Sequence, residues 1–381
     1  MKLFFIAGEP SGDLHASNCI KELQRIDNNL QFEFTGGPLM EAVCKTKPVI
    51  HISEMAFMGF VDVLKNIRTI KANFKRVKDA ILQFKPDALV LVDYPGFNLR
   101  MAKWAAEHNM DVYYYISPTV WAWKENRVEI IKKYTKKLFV ILPFEKAFYA
   151  KHNIDVDFVG HPLLDAIEQK KKDLVSKDIF IGNNKLSDKP IIAVLPGSRK
   201  QEIERMMQIM LNVKDSFKDY QFVIGASNNL SKDYYIGLEQ KDIRVVFNQT
   251  YELMSYAIAG IIKSGTSTLE SALYNLPQVV CYKAGGVSFA IAKQLVDIKY
   301  ISLVNLILDK PAVKELVQAD LTSENIKVEL ELILNNKEHR EAILKDYASL
   351  YDMLGGVGAS KRLAEQLLNY LPAGKAGLKL N

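Results

Sequence analysis

The sequence is short of cysteine, of long apolar runs and of the commoner nucleotide and metal motifs, and each absence narrows what the protein can be. Three cysteines occur in 381 residues. Cys19, Cys44 and Cys281 stand far apart, so neither a disulfide framework nor a thiolate zinc site is indicated, and a reducing, cytosolic setting is expected. No uninterrupted apolar stretch approaches the roughly 20 residues of a membrane span. The N-terminus passes from Lys2 straight into a strand, without the apolar core and small-residue cleavage site of a signal peptide. The six histidines are scattered and form no HExxH-type pair, so no metal is expected. GxGxxG and GxxxxGK[ST] are both missing. The charge excess is slight, since a net +6 permits attraction to phosphate-rich partners without identifying one. Basic helices accompanied by Trp121, Trp123 and Tyr134 could stack nucleic-acid bases, but no RNA-binding signature is present and no nucleic acid is expected.

What is present reads as an α/β protein. Hydrophobic content of 49% and charged content of 25% are ordinary for a globular chain. The length exceeds that at which a single core usually stops growing, which favours two domains. Apolar strand-like runs at Leu3–Ile6, Leu89–Val92, Val112–Ile116 and Leu138–Leu142 alternate with helical patterns such as MAKWAAEHN. This succession of βα units predicts a mostly parallel sheet. A second series, Ile191–Leu195, Phe222–Ile224, Val245–Phe247 and Ile258–Ile262, follows a lysine-rich, poorly patterned stretch from Gln169 to Lys189. The expected division is 1–168 and 190–344, with helices of about 345–371 returning to the first domain. The tail after Pro372 has no core-facing pattern.

Four loops follow predicted strands, where open α/β sheets collect their ligands. In AGEPSGDLHAS, Gly8 and Gly12 allow close backbone approach, and Ser11 or Asp13 can cap a helix starting near Leu14. That turn is either a plain cap or an anion site at a helix N-terminus, and Glu9, Asp13 and His15 together exceed what a cap requires. In VDYPGFN, Asp93 ends an apolar strand. It either satisfies turn amides or, partly desolvated, serves as a general base for a hydroxyl nucleophile. In VLPGSRKQEI, Gly197 and Ser198 expose amides and Arg199 offers a planar fork to a phosphate pair, while Glu202 suits an N-terminal cap. In IIKSGTSTLESAL, a helix is expected from near Thr268. Ser264, Gly265, Thr266 and Ser267 could wrap a phosphate, with Glu270 accepting from a ribose diol; the plain alternative is a Ser/Thr-capped helix start. Two such loops in one domain favour a nucleotide.

Other features have plainer readings. Lys132, Lys133, Lys136 and Lys137 read as a solvated helix face, as do Lys71, Lys75, Arg76 and Lys78. MAFMGFVDVL, from Met55, reads as core packing. Exposed beside Lys65, Arg68 and Lys71, it would instead suit an anionic membrane surface.

AGEPSGD, MGFVDVL, VDYPGFN, SPTVWAWKENR, PFE, GHPLLD, LPGSRKQEI and SGTSTLESAL occur in an order that resembles the lipid-A-disaccharide synthase family, over roughly Met1 to Gln318. The resemblance implies a glycosyltransferase-B fold, two Rossmann-like domains facing a cleft. It implies transfer of 2,3-diacylglucosamine from its UDP conjugate to 2,3-diacylglucosamine 1-phosphate (lipid X) with inversion, at the inner-membrane surface and without a metal or other cofactor. It places the essential aspartate at Asp93, acceptor-side groups at Glu9, Ser11 and Asp13, the diphosphate arginine at Arg199, and the nucleotide loop at Ser264 to Glu270. It also points to a homodimer with exchanged C-terminal segments and to a cytoplasmic, peripheral location. The chain departs from the family pattern in LVNLILDKPAVKELVQ, where Val304 and Lys314 stand in place of prolines; Asn305, Glu315 and Gln318 keep their places, and Asn305 is counted with the UDP site. Other UDP-sugar enzymes of the fold, a UDP-N-acetylglucosamine 2-epimerase or the peptidoglycan N-acetylglucosaminyltransferase, would need different acceptor-side residues.

Overall fold

The structure, a computed structural model, describes residues 1–55, 66–122, 126–227, 230–238, 243–285 and 298–371. MAFMGFVDVL beyond Met55, Trp123 and the tail after Leu371 lie outside the described residues.

The chain divides into two compact units, Met1–Asp165 with Leu354–Asn381, and Ala166–Met353. Each is built on a six-stranded parallel sheet. In the first unit the strands are β1 (Lys2–Ala7), β2 (Gln31–Thr35), β3 (Ala88–Val92), β4 (Asp111–Tyr115), β5 (Lys137–Val140) and β6 (Val156–Phe158), ordered β2-β1-β3-β4-β5-β6. In the second they are β7 (Ile191–Leu195), β8 (Gln221–Ala226), β9 (Ile243–Phe247), β10 (Ala259–Lys263), β11 (Gln278–Tyr282) and β12 (Lys314–Val317), ordered β12-β11-β10-β7-β8-β9. Runs such as ALVLV in β3 and IIAVL in β7 are buried at every position, because helices cover both sheet faces and leave no polar side for alternation.

Each order has one topological switch point, where successive connections leave in opposite directions and open a crevice beyond the strand ends. It falls between β1 and β3 in the first sheet and between β7 and β10 in the second. Ala7 pairs with Val92 and Leu195 with Ile262, so the residues just after these strands emerge side by side. Two loops in each unit therefore meet at one crevice.

The lysine-rich stretch after Gln169, poorly patterned in the sequence, is largely helical: it takes in the end of the helix Leu163–Asp173 and the helix Lys177–Asn183, the second capped by Ser176. Lys136 and Lys137 do not lie on a helix face. Lys137 is buried in β5 and paired with Asp155 and Asp157 at 2.5 and 2.9 Å. The last helix, Ala359–Tyr370, buries Leu363, Ala364, Leu367 and Leu368 in the core of the first unit. GHPLLD holds it there: Asp165 accepts from the Gly358 and Ser360 amides at 2.5 and 3.0 Å, capping the helix N-terminus. PFE is structural in the same way, since buried Glu145 accepts from the amides of Ile141 and Leu142. Its desolvated carboxyl is pushed up to about 7.

Candidate active site

In the first unit, β1 runs into the helix Pro10–Ile26, which starts four residues earlier than the glycines and Asp13 alone indicate. Pro10 at the first helical position sets φ for that start. Glu9 occupies the N-cap without making a side-chain cap bond, and Ser11 is exposed in the first turn. A Cβ on Gly8 would land within the Tyr94 ring, so glycine is required there by space.

Asp93 and Tyr94 follow β3 with φ of 46° and 48°, two successive non-glycine residues in the left-handed region. Such a pair is strained and persists only where its surroundings hold it. The Asp93 amide donates to Tyr115 O at 2.9 Å. Its carbonyl accepts from the Tyr114 hydroxyl at 2.6 Å and from Asn98 Nδ2 at 2.7 Å. Asn98 Nδ2 also lies 3.3 and 3.2 Å from the carbonyls of Ile6 and Val92, joining the ends of β1 and β3. Tyr94 donates its hydroxyl to Met55 O at 2.5 Å. The Asp93 carboxyl, half-buried, is pushed up to about 6, chiefly by desolvation and further by the charge of Glu9, against a hydrogen bond from the Tyr94 amide. Glu9 is itself raised by burial. Beside them lies a cavity of about 300 Å³ lined by Glu9, Phe74, Tyr94, Phe97 and Arg100 among others. A second, of about 370 Å³, shares Ile70, Phe74 and Arg100 and adds Lys71, Lys75 and Lys78.

Asp13 does not belong to this group. It is 2% exposed, and its two oxygens accept from the amides of Gly37, Leu39 and Met40 at 2.8, 3.0 and 3.1 Å. It caps the helix Pro38–Cys44, so three of the roughly four acceptor positions of a carboxylate serve the fold. His15 is half-buried, and desolvation pushes its imidazole down to about 4, with the Asp165 charge opposing.

In the second unit, a cavity of about 490 Å³ opens at the β7/β10 switch point. Gly197, Ser198, Arg199, Gly265, Thr266, Ser267 and Glu270 all line it, drawn from the two loops singled out in the sequence. The loops lead into the helices Lys200–Leu211 and Thr266–Leu273. The second helix begins two residues before Thr268, and its N-cap, Gly265, has no side-chain cap bond. No side chain therefore caps its first amides, and Thr266 and Ser267 line the cavity. Glu270 is raised by desolvation, against hydrogen bonds from Tyr251, whose hydroxyl lies 3.2 Å away, and from Ser267.

Three residues stand differently from the sequence reading. Ser264 is buried and donates its hydroxyl to Ile301 O at 2.7 Å, away from the cavity lining. Asn305 is 1% exposed, with its amide engaged by Val313 and Glu315, and it does not line the cavity. Glu202 makes no cap bond; it pairs with Lys263 at 3.1 Å and lies 3.8 Å from Arg199. The sequence reading missed Lys263, Ser227, Thr250 and Tyr251, which also line the cavity. Their signal is only that each follows or ends a strand. Among the described residues, no group of three His, Cys, Asp or Glu could hold a metal.

The model of a family described as "LpxB: Lipid-A-disaccharide synthetase" matches residues 3–368. The chain is 35% identical over 378 residues to the lipid-A-disaccharide synthase of Trichlorobacter lovleyi, covering 97% of each chain. It is 34% identical over 373 residues to that of Coxiella burnetii, covering 97% of this chain and 98% of the other. In fold it is similar to the UDP-GlcNAc 2-epimerase of Neisseria meningitidis, solved with UDP-GlcNAc, at a TM-score of 0.67, 16% identity and coverage of 97% and 100%. It is also similar to the glycosyltransferase of kitacinnamycin, at a TM-score of 0.66, 11% identity and coverage of 97% and 99%.

Proposed function

The chain belongs to the lipid-A-disaccharide synthetase family, and from that premise we propose that it joins two diacylglucosamine units, with Asp93 as the base of the reaction. As a member it is a UDP-dependent glycosyltransferase of lipid A biosynthesis with the glycosyltransferase-B fold. The donor is UDP-2,3-diacylglucosamine and the acceptor 2,3-diacylglucosamine 1-phosphate. Asp93 takes the proton of the acceptor 6-hydroxyl as its oxygen attacks the anomeric carbon from the face opposite the leaving group. The carbon–oxygen bond to UDP breaks as the new one forms, so configuration inverts and the electron pair departs on the diphosphate.

The observation that carries this reading is the Asp93 carboxyl, held in a strained turn and raised to about 6. A base with that pKa is ionised near neutrality yet more basic than an ordinary carboxylate, which is what proton removal from a hydroxyl requires. The departing charge is met by Arg199 and by helix-start amides at Gly197–Ser198 and Gly265–Ser267. No metal is needed for that assignment, and Glu270 is the ribose partner. Glu9 and Ser11 face the acceptor. The apolar Ile70 and Phe74, with Lys71, Lys75, Lys78 and Arg100 outnumbering the single acid Asp79 around them, suit a lipid bearing a phosphate at an anionic membrane surface. Among the described residues no helix is long and apolar enough to cross a membrane, and we assign a peripheral place on the cytoplasmic face. A homodimer belongs to the same proposal.

The test is UDP release from UDP-2,3-diacylglucosamine in detergent micelles, with and without 2,3-diacylglucosamine 1-phosphate. Acceptor-dependent release that Asp93→Ala abolishes while UDP still binds supports the assignment. Acceptor-independent release would instead mark a different UDP-sugar reaction.

A further inference from the structure

We propose that Lys263 is a phosphate-binding cation of the nucleoside-diphosphate site, acting beside Arg199 and held in place by Glu202. The inference rests on the reading of the 490 Å³ cavity as the UDP site and extends it to a residue not previously given a role there.

Lys263 is the last residue of β10 and directly precedes the SGTS loop. The parallel pairing of β10 with β7 brings it beside the loop that follows β7. Its stem runs along Gly197, where a Cβ would stand 3.3 Å from Lys263 Cδ. Its ammonium reaches the other loop, since a Cβ on Gly265 would lie 3.9 Å from Lys263 Nζ. The amine thus sits between the two glycine turns, Gly197 with φ 107° and Gly265 with φ 156°. A diphosphate spanning those turns has to pass it.

Glu202 accounts for why the amine stays there. The ion pair, 3.1 Å long, joins two side chains that are each only 19% exposed, so both are partly desolvated. The other oxygen, Glu202 Oε2, is buried without a hydrogen-bond partner among the described residues. An ammonium has three protons, and the pair with Oε1 uses one, leaving donors for phosphate oxygens. Arg199, in contrast, is 70% exposed and 3.8 Å from the same carboxylate. The site thus pairs one exposed, forked cation with one anchored point charge. These two chemistries are complementary for a phosphate pair, the fork making bidentate contacts and the ammonium a compact charge.

The test compares UDP and uridine binding by calorimetry on the full chain, for wild type, Lys263→Gln and Lys263→Arg, at low and physiological salt. Lys263→Gln is expected to weaken UDP at least tenfold, about 1.4 kcal/mol, with uridine affinity unchanged. Lys263→Arg should stay within a few fold of wild type. The salt dependence of UDP binding should flatten in the glutamine variant. Because loss of the amine strands Glu202 and can impair folding, wild-type protein is also labelled with an amine-reactive reagent. UDP should protect Lys263 and uridine should not. If wild type binds UDP while Lys263→Gln binds it equally well, or if UDP leaves Lys263 fully labelled, the role of Lys263 is overturned and the UDP site stands. Equal weakening of UDP and uridine would also overturn it, since the damage would not be at the phosphates. If wild type binds no UDP, the reading of the cavity falls and this inference with it.

Discussion

Tyr114 donates its hydroxyl to the carbonyl of Asp93 across 2.6 Å, so the residue proposed as base is held through its backbone by a tyrosine on the neighbouring strand. Asn98 Nδ2 reaches the same oxygen at 2.7 Å. Together they fix a carbonyl that the left-handed turn at Asp93 and Tyr94 would otherwise leave poorly supported.

Tyr114→Phe removes one of these two donors from a fully buried site without changing shape. Stability should fall by about 1 kcal/mol, the ordinary worth of one such bond. Turnover should fall about tenfold with the KM for donor unchanged, because the carboxyl loses its aim while the nucleotide cavity is untouched. Steady-state kinetics with a chemical melt checks both. A variant that melts early but turns over at the wild-type rate would reduce Tyr114 to a packing residue.

Asp93→Asn should lower turnover by about 10²–10⁴, the usual range for a lost general base. It should also stabilise the fold above pH 6. Burial raises the carboxyl to about 6 from an ordinary 3.8, so ionising it in the folded state is unfavourable. Stability therefore drops as pH rises through that window and the full deficit is present above it. The neutral amide escapes the deficit. Thermal melts at pH 8 and pH 3.5 should show the asparagine variant melting higher than wild type at the first and not at the second.

The base works only when deprotonated, so the acid limb of the turnover profile should follow the Asp93 carboxyl, near 6. Glu9 contributes to that value through its charge. Glu9→Gln should therefore move the limb to lower pH, since desolvation is then the one raising cause left and the Tyr94 amide opposes it. A pH–rate profile of the two proteins decides it. A limb that stays in place would remove Glu9 from the electrostatics of the reaction.

The central strands β3, β7 and β10 are legible in the sequence because burial on both faces leaves unbroken apolar runs. β2 and β12 are not, since these edge strands read QFEFT and KELV, with charged residues where only one side is paired. The site divides along a similar line. Asp93 lies just past a strand end, Arg199 in the loop after β7 and Glu270 one turn into the helix after β10, and those positions are visible in one sequence. Where a polar side chain spends its hydrogen bonds is not visible, because the partners come from elsewhere in the chain. Ser264 turns to Ile301, and Asn305 to Val313 and Glu315. Lys263 reads as the polar end of a strand until β7 brings Glu202 to it.

Asp13 separates fold from chemistry within the opening motif. Its three amide partners belong to the start of the helix Pro38–Cys44. A Cβ on Gly37 would stand 2.7 Å from its Oδ2, so the glycine and the carboxylate require each other. Asp13→Ala leaves those amides buried and unpaired and should cost about 1–3 kcal/mol, the desolvation penalty of orphaned donors. Ser11→Ala, at an exposed position two residues earlier, should leave stability within about 0.5 kcal/mol. The informative measurement is UDP-dependent activity per folded molecule, with the folded fraction taken from denaturant melts. For Asp13→Ala that ratio should remain within a few fold of wild type while the melting midpoint drops. A ratio that collapses in a protein still folded would return Asp13 to the reacting centre, because its cap would then not account for the loss.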